Sequence, residues 1–197
     1  MKYTGSFFLI VFVIIIIITS CKYQDNNTTN NISTDNLLKK TIVFPNSLLK
    51  LDGTQFQKID SFISEIEDHA KIISIIDGSC IKCIVYQLNR IDSIFNCILP
   101  PVDDNILIFI LNVHKEDSVY FMRYLQPSIN ATGVILWDNN YNFERQNKLF
   151  TSNMNLRTFM INNENKIIQF GNPVMHPDLI SEYQEKMLCK YLPDSLK

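Results

Sequence analysis

The period at which apolar residues recur changes several times along the chain, and each change marks the edge of an element. An unbroken apolar run, Phe7 to Ile18, comes first. It is too short to cross a bilayer core, which takes about 20 apolar residues. A polar, Asn- and Thr-rich stretch then runs to Lys40 with almost nothing to bury. After the Asp52-Gly53 turn, Phe56, Ile59, Ile63 and Ile66 recur at helical spacing and predict an amphipathic helix of about four turns. Lys71 to Ile76 is a short β-branched run suited to a buried strand, and Asp77-Gly78-Ser79 breaks it. From Cys80 the period is helical again. Ile81, Ile84, Leu88, Ile91 and Phe95 share one face until Pro100-Pro101, which cannot continue a helix.

Ile106 to Leu111 is a second continuous apolar run, the best candidate for a central strand. A helix follows, with Val119, Met122 and Leu125 as its expected buried stripe and Pro127 near its end. Val134 to Trp137 reads as a third strand, whereas Tyr141 to Met154 shows no clear period. Thr158 to Ile161 and Lys166 to Phe170 are short strands joined by Asn162-Asn163-Glu164-Asn165, so they should pair as a hairpin. Pro177 opens a last helix with Ile180, Tyr183, Met187 and Tyr191 facing inward. The predicted order is helix, β, α, β, α, β, β, α. That order predicts an α/β fold: a central, mostly parallel sheet with helices on both faces and a C-terminal antiparallel hairpin.

Charge narrows the function classes. The net charge is −2 and no basic cluster follows the N-terminal run, so no nucleic-acid partner is expected. The N-terminus changes the picture more. Lys2 and the apolar run fit a secretory signal, and Ile18-Thr19-Ser20-Cys21 resembles the bacterial lipobox. That resemblance implies cleavage just before Cys21 and a diacylglyceryl group on its thiol; two or more acyl chains give stable anchoring. The expected division is a lipoprotein signal over 1–20, a flexible tether over 21–40 and one domain over 41–197. The expected location is a membrane-anchored, extracytoplasmic lipoprotein, facing the periplasm or the cell surface.

Of five cysteines, Cys21 belongs to the anchor. Cys97 and Cys189 read as small core residues. Only Cys80 and Cys83 have an informative spacing. Cys80 stands where a buried strand gives way to a helix, facing unpaired N–H groups and the positive end of the helix dipole. Such a place stabilises a thiolate, the nucleophile of disulfide exchange. Cys83 lies nearly one turn on and on the same side, where it can attack a mixed disulfide. Lys82 favours the thiolate and Asp77 opposes it. An inert structural pair and a metal site are the other readings. Zinc would need two more ligands, and His114, His176 and Cys97 are candidates by residue type alone, so no metal is expected. Trp137 reads as packing, His176 as a surface or capping residue, and Asp60, Glu65, Glu67 and Asp68 as a solvated helix face.

The strand, Cys80-Ile-Lys-Cys83 and helix, with the later Thr158-Phe159-Met160-Ile161, Lys166-Ile167-Ile168 and Gly171, resemble the thioredoxin-like superfamily. The resemblance is to its membrane-tethered redoxin branch (TlpA/ResA-like). Asp77-Gly78-Ser79-Cys80 and Gly171-Asn172-Pro173 look like uncharacterised thioredoxin-like lipoproteins of Bacteroidota. The likeness covers Thr41 to Leu192. It implies a thioredoxin-like fold and a thiol–disulfide oxidoreductase in which Cys80 attacks and Cys83 resolves. Protein disulfides or dithiols would be the substrates, a membrane electron donor or another thioredoxin the recycling partner, and no organic cofactor is needed. The chain departs from the family pattern at Ser79, where Trp is usual, and at Ser74, where an acidic or amide residue is frequent. It also carries Asn155-Leu156-Arg157 where a cis-proline precedes the Thr158-equivalent strand. Arg157 is therefore a candidate substrate contact. The alternative is a non-enzymatic binding or scaffold lipoprotein with a structural cysteine pair.

Overall fold

The computed structural model describes residues 37–66, 69–98 and 105–188. The expected signal, Cys21 and most of the expected tether lie outside the described residues, as do Glu67, Asp68, Cys189 and Tyr191. Within the described residues, seven strands form one sheet: β1 (Leu49–Asp52), β2 (Gln55–Lys58), β3 (Ala70–Asp77), β4 (Asn105–Asn112), β5 (Val134–Trp137), β6 (Thr158–Ile161) and β7 (Ile167–Phe170). Their order across the sheet is β2-β1-β5-β4-β3-β6-β7. The pairings β3–β4 and β4–β5 are parallel, and every other pairing is antiparallel. The sheet is thus mixed rather than mostly parallel. The expected hairpin β6–β7 closes one edge, and a hairpin not foreseen, β1–β2, closes the other.

That second hairpin explains the shortened first helix. Gly53 takes a left-handed φ of +56°, which suits the tight connection after Asp52. Phe56 therefore lies in β2 rather than in a helix, with its ring 5.1 Å from that of Trp137. The helix that remains, α1, spans only Asp60–Glu65.

The central strands are buried on both faces, and alternation sorts their side chains between two cores. On one face Ile72 and Ile76 of β3 join a core with Ile84, Leu88, Ile91 and Phe95 of α2 (Ile81–Ile98). Tyr183 and Met187 of α4 (Leu179–Leu188) belong to the same core. On the other face Ile73 and Ile75 share a core with Phe62 of α1, with Ile66 and with Phe143 of α3 (Asn142–Asn147). Helices cover both faces, as expected.

Two helical segments differ from the pattern for physical reasons. Residues 115–128 pass from a 3-10 turn through a short α turn into a π turn over Phe121–Leu125. Here the buried face is set by Phe121, which is fully buried, while Val119, expected in the buried stripe, lies away from it and is 73% exposed. α3 is bounded by left-handed Tyr141 (φ +55°) and Lys148 (φ +48°). It buries Phe143, Glu144 and Asn147, a mixture that leaves no apolar stripe to detect. The described chain is packed from Leu37 onward, where the Lys39 and Ile42 amides donate to the carbonyls of Ile167 and Asn165. Among the described residues no helix is long and apolar enough to cross a membrane.

Candidate active site

β3 ends at Asp77, and α2 opens only four residues later at Ile81. Cys80 sits in the residue before the helix and is disulfide-bonded to Cys83, with Cα atoms 5.2 Å apart. The Cys83 amide donates to the Cys80 carbonyl at 2.8 Å, closing the first turn. Cys80 is exposed and Cys83 half-buried. The connection is tight for an identifiable reason. A Cβ on Gly78 would stand 1.9 Å from the Asn112 carbonyl oxygen, so only glycine lets the turn lie against the end of β4. Asp77 Oδ1 accepts the Ser79 amide at 2.9 Å, which fixes the residue before Cys80.

Behind this turn lies a ring made of three polar contacts and closed by the β3–β4 ladder. Asp77 Oδ2 is 3.3 Å from Nη1 of Arg157. Nη2 of the same guanidinium is 3.6 Å from Oε1 of Glu144. The other Glu144 oxygen accepts from Nδ2 of Asn112. Asn112 stands opposite Asp77 in the β3–β4 register, which returns the ring to its start. Arg157 also donates through Nε to the Thr151 carbonyl at 3.3 Å. Glu144 is fully buried and the Arg157 side chain only 12% exposed, so these charges meet largely out of water. Burial pushes the Glu144 carboxyl up, against the opposing pull of Arg157 and Asn112. Burial also pushes on Asp77, but the hydrogen bonds at Ser79 and the Arg157 charge outweigh it and hold that carboxyl below its usual range. The Tyr141 phenol is raised by burial and by Asp77 and Glu144.

No protein-family model matches the chain, and no curated protein does. Solved structures do. A candidate protein disulfide isomerase from Bacteroides thetaiotaomicron superposes with a TM-score of 0.50 at 15% identity, covering 74% of this chain and 87% of its own. An uncharacterised thioredoxin-like protein from Porphyromonas gingivalis gives 0.49 at 16% identity, over 74% and 92%. The exposed lipoprotein thioredoxin of Streptococcus pneumoniae gives 0.46 at 13% identity, over 71% and 99%. The fold is thioredoxin-like. The cysteine pair therefore stands at the strand-to-helix junction of a thioredoxin-like sheet, where the sequence placed it.

Other expected residues fall differently in that fold. Arg157 lies at the end of a 3-10 turn, Met154–Arg157, and its guanidinium points into the ring just described. Ser74 is buried, and its hydroxyl shares a 3.0 Å hydrogen bond with that of Thr158. Trp137 is packed edge-on against Phe56 and Phe121, as expected. Cys97 is exposed, not a core residue: Ile91 and Phe95 supply the buried face at that end of α2 and Cys97 falls off it. His176 is exposed, and the His114 ring lies 5.6 Å from that of Tyr141.

A shallow, mostly apolar groove runs beside the cysteine helix, lined by Tyr86, Arg90 and Ile91 of α2, Met154, Val174 and Met175. A larger depression opens between β1 and β5, where their pairing stops after Leu49–Trp137 and Lys50–Leu136. It lies towards the other end of the sheet, and the Lys50 ammonium there sits over the Phe62 ring. The groove beside α2 starts at Tyr86, three residues after Cys83.

Sequence reasoning missed Glu144 and Asn112. A glutamate in an aperiodic stretch looks solvated, and nothing local marks it as buried. Asn112 did carry a signal: it ends an apolar strand at the carboxyl edge of the sheet, where ligand-facing groups collect in open α/β sheets.

Proposed function

We propose that the protein is an extracytoplasmic, lipid-anchored thiol–disulfide oxidoreductase. Cys80 and Cys83 are its catalytic residues, and Cys21 is its point of lipid attachment. The observation that carries the reading is the asymmetric disulfide at the start of α2, with Cys80 exposed and Cys83 half-buried. In the reducing direction the Cys80 thiolate attacks one sulfur of a substrate disulfide, forming a mixed disulfide and releasing a substrate thiolate. Cys83, deprotonated, attacks the Cys80 sulfur and releases the second substrate thiolate. Two electrons pass to the substrate and the Cys80–Cys83 bond reforms. The oxidising direction is the same sequence reversed.

The groove beside α2 offers apolar surface for a polypeptide carrying the target sulfur, with Tyr86 one turn beyond Cys83. A redox partner at the membrane would reset the pair. The N-terminal signal pattern and Cys21 support the location. The test is equilibration of the full chain, in detergent, with glutathione redox buffers, reading Cys80 and Cys83 by alkylation and peptide mass spectrometry. A reversible Cys80–Cys83 couple is expected. Cys83→Ser should accumulate a mixed disulfide through Cys80, and Cys80→Ser should not. If the pair fails to cycle, the scaffold reading takes its place.

A further inference from the structure

The guanidinium of Arg157 joins three segments: the Asp77–Ser79 turn, α3 through Glu144, and the chain at Thr151. The Asp77 carboxylate that it meets holds the Ser79 amide, next to Cys80. Gly78 is pressed onto Asn112, and Asn112 donates to Glu144. Arg157 and Glu144 each meet two partners in this arrangement, and the member adjoining the cysteine turn in sequence is Asp77.

We infer that Arg157 is a positioning residue: it holds and orients Asp77, and through Asp77 it sets the orientation and thiolate character of Cys80. This replaces a direct substrate contact as its role, and it rests on the reading of Cys80 as the attacking thiol. A carboxylate free to turn beside a nucleophilic thiol disfavours the thiolate, and the guanidinium 3.3 Å from one Asp77 oxygen, with the Ser79 amide on the other, holds that carboxylate in one orientation. The charged and titratable groups around the turn are Asp77 on β3, Lys82 on α2, His114 after β4, Glu144 on α3, Arg157 before β6, and Tyr141 and Asp138 between β5 and α3. Of these, Arg157 is the cation placed within ion-pair distance of Asp77.

The experiment follows the rate of Cys80 alkylation against pH in the reduced full chain, in detergent, quantified on the Cys80 peptide. Wild type is compared with Arg157→Gln, Arg157→Lys, Asp77→Asn and the double variant Arg157→Gln with Asp77→Asn. Arg157→Gln should raise the apparent pKa of Cys80 by about half a unit, making it about threefold slower at neutral pH. Arg157→Lys should restore most of that loss. In the Asp77→Asn background, Arg157→Gln should change nothing further. A shift of the same size in that background overturns the proposal, because Arg157 would then act on Cys80 by its own charge. An unshifted profile in the single variant overturns it too.

If Arg157→Gln does not keep the folded far-UV spectrum, the same set is read in a Glu144→Gln background, where no buried carboxylate is orphaned. Alkylation is independent of glutathione cycling. Loss of cycling in wild type would therefore strike the oxidoreductase reading and leave this comparison legible.

Discussion

Gly78→Ala tests how tightly the turn before Cys80 is built. The added Cβ would stand 1.9 Å from the Asn112 oxygen, 2.8 Å from Val113 Cγ2 and 2.9 Å from the Asn112 carbonyl carbon. Ordinary contact begins near 3.4 Å, so a gap of about 1.5 Å must open against backbone that cannot rotate away. Opening it pulls the Asp77–Asn112 pair out of the β3–β4 ladder. Losing one or two backbone hydrogen bonds costs about 1 kcal/mol each, and the residual overpacking adds about 1–2 kcal/mol. The total is about 3 kcal/mol, a large share of the stability of a domain this size. Urea denaturation should show it, together with a changed Cys80 alkylation rate in the folded fraction. Gly53→Ala is the control: nothing lies within 4 Å of its Cβ, so only the left-handed φ of +56° opposes it, at about 1 kcal/mol. A Gly78→Ala protein within about 0.5 kcal/mol of wild type would refute the packing argument.

Two further outcomes follow from buried carboxylates. Asp92 Oδ1 accepts the amides of Thr132 at 2.9 Å and Gly133 at 2.8 Å, tying α2 to the start of β5, so Asp92→Ala should cost about 2–4 kcal/mol. Asp92→Asn, which keeps one acceptor oxygen, should cost clearly less in urea denaturation; equal losses would mean that these hydrogen bonds are not what Asp92 supplies. Glu144 holds its proton more tightly when folded than when unfolded, because burial raises it. Its contribution is therefore complete below the ordinary carboxylate range and is lost as pH rises through the folded value. Glu144→Gln lacks that loss, so the stability difference should move in the variant's favour as pH rises above the ordinary carboxylate range. Parallel pH curves for the two proteins would contradict this.

The elements that could be read in the sequence were those whose signal is local. β5 matches its expected span, and β3, β4, α2 and the β6–β7 hairpin differ only at their ends. Long apolar runs and a sustained helical period decide such segments whatever surrounds them. Leu49 to Ile66 failed because Phe56 fits two patterns at once: a helical face with Ile59 and Ile63, or a hairpin with Leu49 and Leu51. The Asp52-Gly53 turn decides for the hairpin, and the Trp137 ring that receives Phe56 comes from a distant part of the chain. The site divides along the same line. Cys80 and Cys83 announce themselves by spacing and by their junction. Glu144, Asn112 and Arg157 come together only through the register of β3 on β4 and the fold of 138–158, and no local pattern encodes that meeting.

Arg157 shows how this chain holds the segment before β6 without a proline. A proline would hold the segment before β6 by covalent restriction of the backbone. Here a 3-10 turn is capped by Asn153, which accepts the Asn155 amide, and anchored by a guanidinium shared between two carboxylates. Both devices fix that segment relative to the cysteine turn, but they respond to different conditions. A restricted backbone is indifferent to charge. An ion pair with Asp77 35% exposed is open to salt and to protonation from the solvent side, whereas the Glu144 arm is sealed. The ring therefore has one weak member, and it is the one that touches the turn leading to Cys80. Of the two carboxylates that share Arg157, Asp77 is therefore the one that salt and acid reach first.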